Sequence, residues 1–194
     1  MNTALVWQQI ALADTPPTPW KNGGGTTREL LAWPTPQDWT LRLSVAQVDA
    51  DGPFSRFDGI TRWFAVLAGA GVRLHMPDIS LTHSLDVSSS PLAFDGALAV
   101  DCTLIDGPTQ DFNLMARTAH HTRTGMQRVK GHADWKGTRP TLLAVWAHTA
   151  PATLQLGDHP SLGIAAGTLA WTALDAAQAI AVHSDDALLM EVCL

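Results

Sequence analysis

Short apolar runs broken by glycine, proline and aspartate turns recur along the whole chain, and no long amphipathic helix accompanies them. That pattern leaves an all-β sandwich or barrel as the architecture. Residues 4–10 read as a first or edge strand ended by the proline-rich 15–19. Residues 66–68 and 72–74 read as two strands of a hairpin-like run around Gly69, Ala70 and Gly71. Residues 98–105, 142–146, 153–156, 168–171, 180–183 and 188–194 are further strand candidates. Turns are expected at 91–96, 157–158, Gly163 and 184–186, and residues 80–87 are weakly patterned. The one helical candidate, 173–181, is alanine-rich and short. From residue 119 onward the composition turns polar, through 120–123 and 130–139, before β-like runs return. The expected division is therefore 1–118 and 119–194.

Residues 39–48, WTLRLSVAQV, alternate at period two. Trp39, Leu41, Leu43 and Val45 fall on one face, and Thr40, Arg42, Ser44 and Ala46 on the other. A solvent-facing strand usually carries several long polar side chains, whereas this polar face has one arginine among small residues. Arg42 and Ser44 are therefore expected to face a cavity, the alternative being a surface arginine in an ion pair. Arg56, Asp58 and Arg62, just before the 66–74 run, are expected at the mouth of the strands, because unpaired charges are too costly inside a dry core.

Upstream, Lys21 and Asn22 precede Gly23, Gly24 and Gly25. The glycines permit close backbone approach to a ligand, and the two polar side chains offer donors. The order is not that of a phosphate loop, since the lysine precedes the glycines. A ligand-binding loop and a simple glycine bulge between strands both remain open.

Composition excludes some partners. A net charge of −6 without any run of lysine or arginine argues against a nucleic-acid surface. No apolar run reaches the roughly 20 residues of a spanning helix, so no membrane association and a cytoplasmic location are expected. Only 15% of residues are charged, which favours many buried positions or a sticky face, and a homodimer is the expectation. Cys102 and Cys193 sit apart in apolar runs and read as buried, inert thiols.

Four blocks together resemble the HutD/Ves family: 19–30 (PWKNGGGTTREL), 39–74, 91–96 (PLAFDG) and 106–117 (DGPTQDFNLMAR). Asp58, where that family generally has proline, and Thr118, where a second arginine is common, depart from its pattern. The resemblance implies an RmlC-like cupin double-stranded β-helix, a jelly-roll barrel, with two cupin-like halves (a bicupin) as one form of it. It also places Arg56, Asp58 and Arg62 where a metal-binding cupin has its two histidines and acid. Two cations and one carboxylate cannot form the usual site, so no metal and no cofactor are expected. Arginine instead suits a small carboxylate. Lys21, Asn22, Arg42, Ser44, Ser55, Arg62 and Asn113 are the candidate ligand-binding residues, with Phe54, Phe57, Trp63 and Phe112 as candidate apolar walls.

The resemblance further implies a metal-independent binder with a regulatory or protective role in histidine utilisation, urocanate and N-formylglutamate being the candidate ligands. No GxSxG motif, cysteine–histidine pair or paired acids supply a catalytic set, so an enzyme is not the first expectation. The alternatives are a metal-dependent cupin enzyme using ligands among His75, His83, His120 and His121, and a partner-binding protein. The adjacent His120 and His121 would point to opposite faces of a strand.

Overall fold

The structure is a computed structural model that describes residues 6–121, 123–157 and 159–194. The chain forms two compact units, one of residues 15–120 and one of residues 121–194 together with the segment before residue 15. The N-terminal strand β1 (Gln8–Ala11) belongs to the second unit because it pairs antiparallel with residues 168–171, so the expected grouping of 1–118 does not hold for this strand.

The unit of residues 15–120 contains two sheets. In chain order its strands are β2 (Thr18–Pro19), β3 (Gly25–Trp33), β4 (Leu41–Val48), β5 (Gly52–Pro53), β6 (Ile60–Ala68), β7 (Val72–Met76), β8 (Leu81–Leu85), β9 (Leu92–Asp95), β10 (Asp101–Leu104) and β11 (Thr109–Arg117). The larger sheet runs β2-β3-β4-β11-β6-β9 and the smaller β5-β10-β7-β8. Between them lies one apolar cluster to which both contribute: Phe64 and Val66 from the larger, Val72, Leu74, Met76 and Cys102 from the smaller, closed by Phe54, Leu85 and Phe94. Burying each large side chain in such a cluster contributes about 1.5–3 kcal/mol. This is the double-sheet barrel that the resemblance implied.

The expected hairpin of 66–74 is not one. β6 pairs with β11 and β9, whereas β7 pairs with β10 and β8, so the turn at 69–71 carries the chain from one sheet to the other. Gly69 makes that passage possible: its φ is +94°, and a Cβ there would stand 2.5 Å from the Pro108 carbonyl oxygen. Gly69→Ala is expected to lower the unfolding free energy by about 2 kcal/mol through backbone strain and this clash. Chemical denaturation of the variant measures it, and an unchanged midpoint would refute the assignment.

The other unit is a single sheet of seven strands. β1 is joined there by β12 (Thr124–Lys136), β13 (Thr141–Ala147), β14 (Ala152–Leu156), β15 (Leu162–Ile164), β16 (Thr168–Leu174) and β17 (Ala179–Cys193). β17 is its spine. One edge pairs with β12 along nearly its whole length, while the other takes β14 near its start and β13 near its end.

Several sequence expectations change here. Residues 184–186 are not a turn; they lie within β17, opposite a register shift in β12 between Val129 and Gly131. A bulge absorbs the polar residues without breaking the ladder. The polar 130–136 stretch is strand, because β17 supplies the partner that composition alone does not show. The alanine-rich 173–181 segment holds no helix: β16 ends at Leu174 and β17 begins at Ala179. Residues 92–95 are strand β9 rather than turn, and Gly163 lies within β15. Asp158 lies outside the described residues. Among the described residues the helical pieces are the 3-10 turns Leu12–Asp14 and Pro77–Ile79, and no helix is long and apolar enough to cross a membrane.

Candidate functional site

Along β4 and β11 alternate side chains turn into the barrel, and one stretch of this inner face is polar. Arg42, Ser44 and Ala46 on β4 lie beside Met115, Asn113 and Asp111 on β11, and β6 adds Arg62 opposite Met115. From β3, Thr27 and Glu29 pair with Ala46 and Ser44. Next to this surface opens a cavity of about 820 Å³, lined wholly by residues of the 15–120 unit. That volume suits a small metabolite.

All seven candidate residues, Lys21, Asn22, Arg42, Ser44, Ser55, Arg62 and Asn113, line this cavity. Ser44 and Asn113 are buried, Arg42 and Arg62 half-buried, and Lys21, Asn22 and Ser55 exposed at its rim. The glycine run is the turn between β2 and β3: Trp20 N donates to Gly25 O and Gly23 N to Trp20 O, while Asn22 Oδ1 accepts from Gly24 N at 3.1 Å. Gly25 itself has no room for a side chain, since a Cβ would collide with the Gln47 carbonyl oxygen. The run is thus a structural turn that also brings Lys21 and Asn22 to the cavity.

Arg62 is anchored from two sides. Its Nε and Nη2 donate to Asn113 Oδ1 at 3.0 and 2.7 Å, and its guanidinium lies over the rings of Phe54 and Phe94, 4.5 and 5.5 Å from their centroids. Burial, and then the neighbouring Arg42, pull it down to about 10, with Asp111 opposing. It remains a cation at neutral pH. Arg42 is held more loosely: Nη2 contacts Met115 Sδ at 3.3 Å, and Nε stands 3.9 Å from Glu29 Oε2. That Nε is buried and makes no hydrogen bond. Burial lowers the Arg42 pKa and Glu29 partly restores it. Trp39 and Phe57 flank its guanidinium at 5.2 and 5.8 Å.

Behind Asn113 lies Asp111, fully buried. Its Oδ2 accepts from Thr109 Oγ1 at 3.0 Å, and Oδ1 has no partner. Burial pushes this carboxyl up to about 7 against the Thr109 hydrogen bond and Arg62. Cys102 is pushed up to about 12, by burial first and then by Asp111 and Asp51. Both cysteines are buried, free thiols.

Other expectations shift. Arg56 and Asp58 do not line the cavity. Arg56 instead ties its loop down, donating Nε to Ala97 O at 2.7 Å and Nη2 to Asp78 Oδ2 at 2.8 Å, while Asp58 sits exposed in a turn. Of the apolar candidates Phe54 and Phe57 are walls; Trp63 and Phe112 are not. Trp39 precedes β4, so alternation does not govern it. It turns toward Arg42, with its carbonyl held by Arg117 Nε at 2.8 Å. Glu29, Thr27, Met115 and Trp20 line the cavity and were not singled out by the sequence; the period-two spacing of Thr27 and Glu29 in a strand beside β4 is the signal that could have found them. His120 and His121 lie outside any strand, and His121 Nδ1 donates to Cys193 O at 2.9 Å. His75 contacts Thr82 Oγ1. Among the described residues no group of three or more histidine, cysteine or acidic side chains could hold a metal ion.

The two-sheet barrel with its ligand-sized cavity has a cupin-like fold. Structures of 7–10% identity share this fold, among them an oxalate decarboxylase of Bacillus subtilis with a TM-score of 0.61 over 99% of this chain and 78% of that one. The chain belongs to the HutD family, whose model matches residues 12–192. It is similar to the structure of PA5104, a conserved protein of unknown function from Pseudomonas aeruginosa PAO1 (TM-score 0.87, 32% identity, 97% of this chain and 100% of that one). HutD from Pseudomonas fluorescens SBW25, solved under a formate condition, gives a TM-score of 0.81 at 27% identity over 97% and 98% of the two chains. Protein Ves of Escherichia fergusonii is 37% identical over 100 residues, covering 50% of this chain and 51% of that protein. A 21.2 kDa protein from the hutC 3′ region of Pseudomonas putida is 37% identical over 110 residues, 56% and 57% of the two. The chain thus spans about half the length of the curated relatives it matches.

Proposed function

We propose that the protein binds a small carboxylate metabolite in the cavity of the 15–120 unit, without a metal, and serves histidine utilisation in a regulatory or protective role. Arg42 carries this reading. Its guanidinium lines the cavity with a thioether sulfur as its hydrogen-bond partner and stands beside a second, anchored guanidinium, so it has donors to offer an anion. Arg62 supplies the fixed charge, Asn113 orients it, and Ser44 lies between Asn113 and Glu29 in the ladder as a further hydroxyl. Phe54 and Phe57 offer apolar faces to the remainder of the ligand. Support for the pathway comes from the hutC-region relative. Urocanate and N-formylglutamate are the ligands to try first, each carrying a carboxylate on a body small enough for the cavity.

Thermal shift and calorimetry with urocanate, N-formylglutamate and formate, against the matching amides, test this. At a hundredfold excess over Kd a ligand of the native state should raise Tm by about 5 °C or more. The carboxylates are expected to do so and the amides not. If no carboxylate binds at millimolar concentration, or amides bind equally well, the reading fails.

A further inference from the structure

We propose that His132 and His183 form a two-imidazole site for a borderline divalent cation of the zinc class, on the outer surface of the seven-stranded sheet. The site is independent of the carboxylate cavity, none of whose lining residues belongs to this unit.

The two histidines are directly opposite each other in the β12–β17 ladder. Their rings stand 4.5 Å apart between centroids, inclined at 40°, with the Nδ1 atoms facing each other at 3.3 Å. For an N–H···N hydrogen bond that separation is long. Two nitrogens bound to tetrahedral zinc at about 2.0–2.1 Å stand about 3.3–3.4 Å apart, so this spacing is that of two ligands sharing one ion. Asp134, two residues along β12, receives His132 Nε2 at 3.0 Å. Holding the proton on Nε2 leaves the Nδ1 lone pair of His132 free to face His183, which is the role of the carboxylate in carboxylate–histidine–zinc triads.

The framework is rigid and the approach is open. His183 lies on the spine strand β17, whose other edge at this position pairs with Thr153 of β14, and the β12 register shift ends at Gly131, immediately before His132. Bulges of this kind re-aim the side chains beside them. The side chain of His132 is 46% exposed, so an ion can enter and solvent can fill its remaining positions. Imidazole ligands with open positions suit zinc, nickel or copper rather than magnesium or calcium.

Zinc chloride titrated into the full chain, followed by calorimetry and by Tm, tests the site. One equivalent should bind and raise Tm. His132→Gln and His183→Gln should each weaken binding by about tenfold or more, and Asp134→Asn by about tenfold, because the orienting carboxylate is lost. All three positions are exposed, and circular dichroism confirms that the variants fold. Wild-type zinc affinity in both histidine variants, or no zinc binding by the wild type at millimolar concentration, would overturn the proposal. Neither result bears on carboxylate binding.

Discussion

Replacing Arg62 with methionine is expected to weaken carboxylate binding by about hundredfold, because a charge-assisted hydrogen bond to a carboxylate contributes roughly 1.5–3 kcal/mol and the attraction of the half-buried cation is lost with it. Arg62 is pre-positioned: Asn113 and the rings of Phe54 and Phe94 fix its guanidinium before any ligand arrives. Little side-chain entropy is then left to lose on binding, and this favours Arg62 over the looser Arg42 as the larger contributor. Methionine also leaves Asn113 Oδ1 without its two donors, so the variant should unfold more easily by about 1–3 kcal/mol. Arg62→Lys separates the two effects. It keeps the charge and loses the planar fork, and should retain measurable binding at about tenfold lower affinity. Calorimetry with whichever carboxylate binds the wild type reads both variants. Wild-type affinity in Arg62→Met would remove the arginine from the site.

The sequence carried the cavity face better than it carried the sheet connections. Period-two alternation places Arg42 and Ser44 on one face of β4 whatever the rest of the chain does, since a strand has only two faces, and the shortage of long polar side chains on that face points it inward. Lys21 and Asn22 came from the glycine run, Arg62 from the charges before the 66–74 run, and Ser55 and Asn113 from the family resemblance, and all reach the same cavity. What could not be read locally was pairing. The run 66–74 looks like a hairpin because two apolar strands flank a glycine turn, yet β6 and β7 enter different sheets, a choice made by β11 and β10 tens of residues away. Residues 130–136 are strand because β17 runs alongside them, and β1 joins β16 for reasons absent from its own four residues. Trp39 illustrates the same limit on a smaller scale. Two residues before its strand begins, it follows Arg117 and Arg42 rather than the alternation.

Asp111→Asn is expected to stabilise the protein at pH 8 and to flatten its stability between pH 4 and 7. The wild-type carboxyl is fully buried, has one hydrogen-bonded oxygen and one without a partner, and is pushed up to about 7 from an ordinary value of 3.8. A raised acid pKa means that the folded state holds the proton more tightly than the unfolded one. Between about pH 4 and 7 the folded state therefore binds more protons, and stability falls as pH rises through that window. Below it both states are protonated; above it both are ionised and the penalty is complete, on the order of 4 kcal/mol. Denaturation midpoints of wild type and variant from pH 4 to 8 measure the difference, which should grow with pH and level off above 7. A difference independent of pH would show that Asp111 does not titrate in this range. The same carboxyl bears on the ligand. Asp111 and Arg62 attract each other, so an ionised Asp111 competes with a bound carboxylate for Arg62, while the Cys102 thiol beside them stays neutral. Carboxylate affinity should thus rise as pH falls through 7, with proton uptake on binding visible as a dependence of the calorimetric heat on the buffer. Asp111→Asn should bind at least as tightly as the wild type and lose both the pH trend and the proton uptake, because the group that gains the proton is gone.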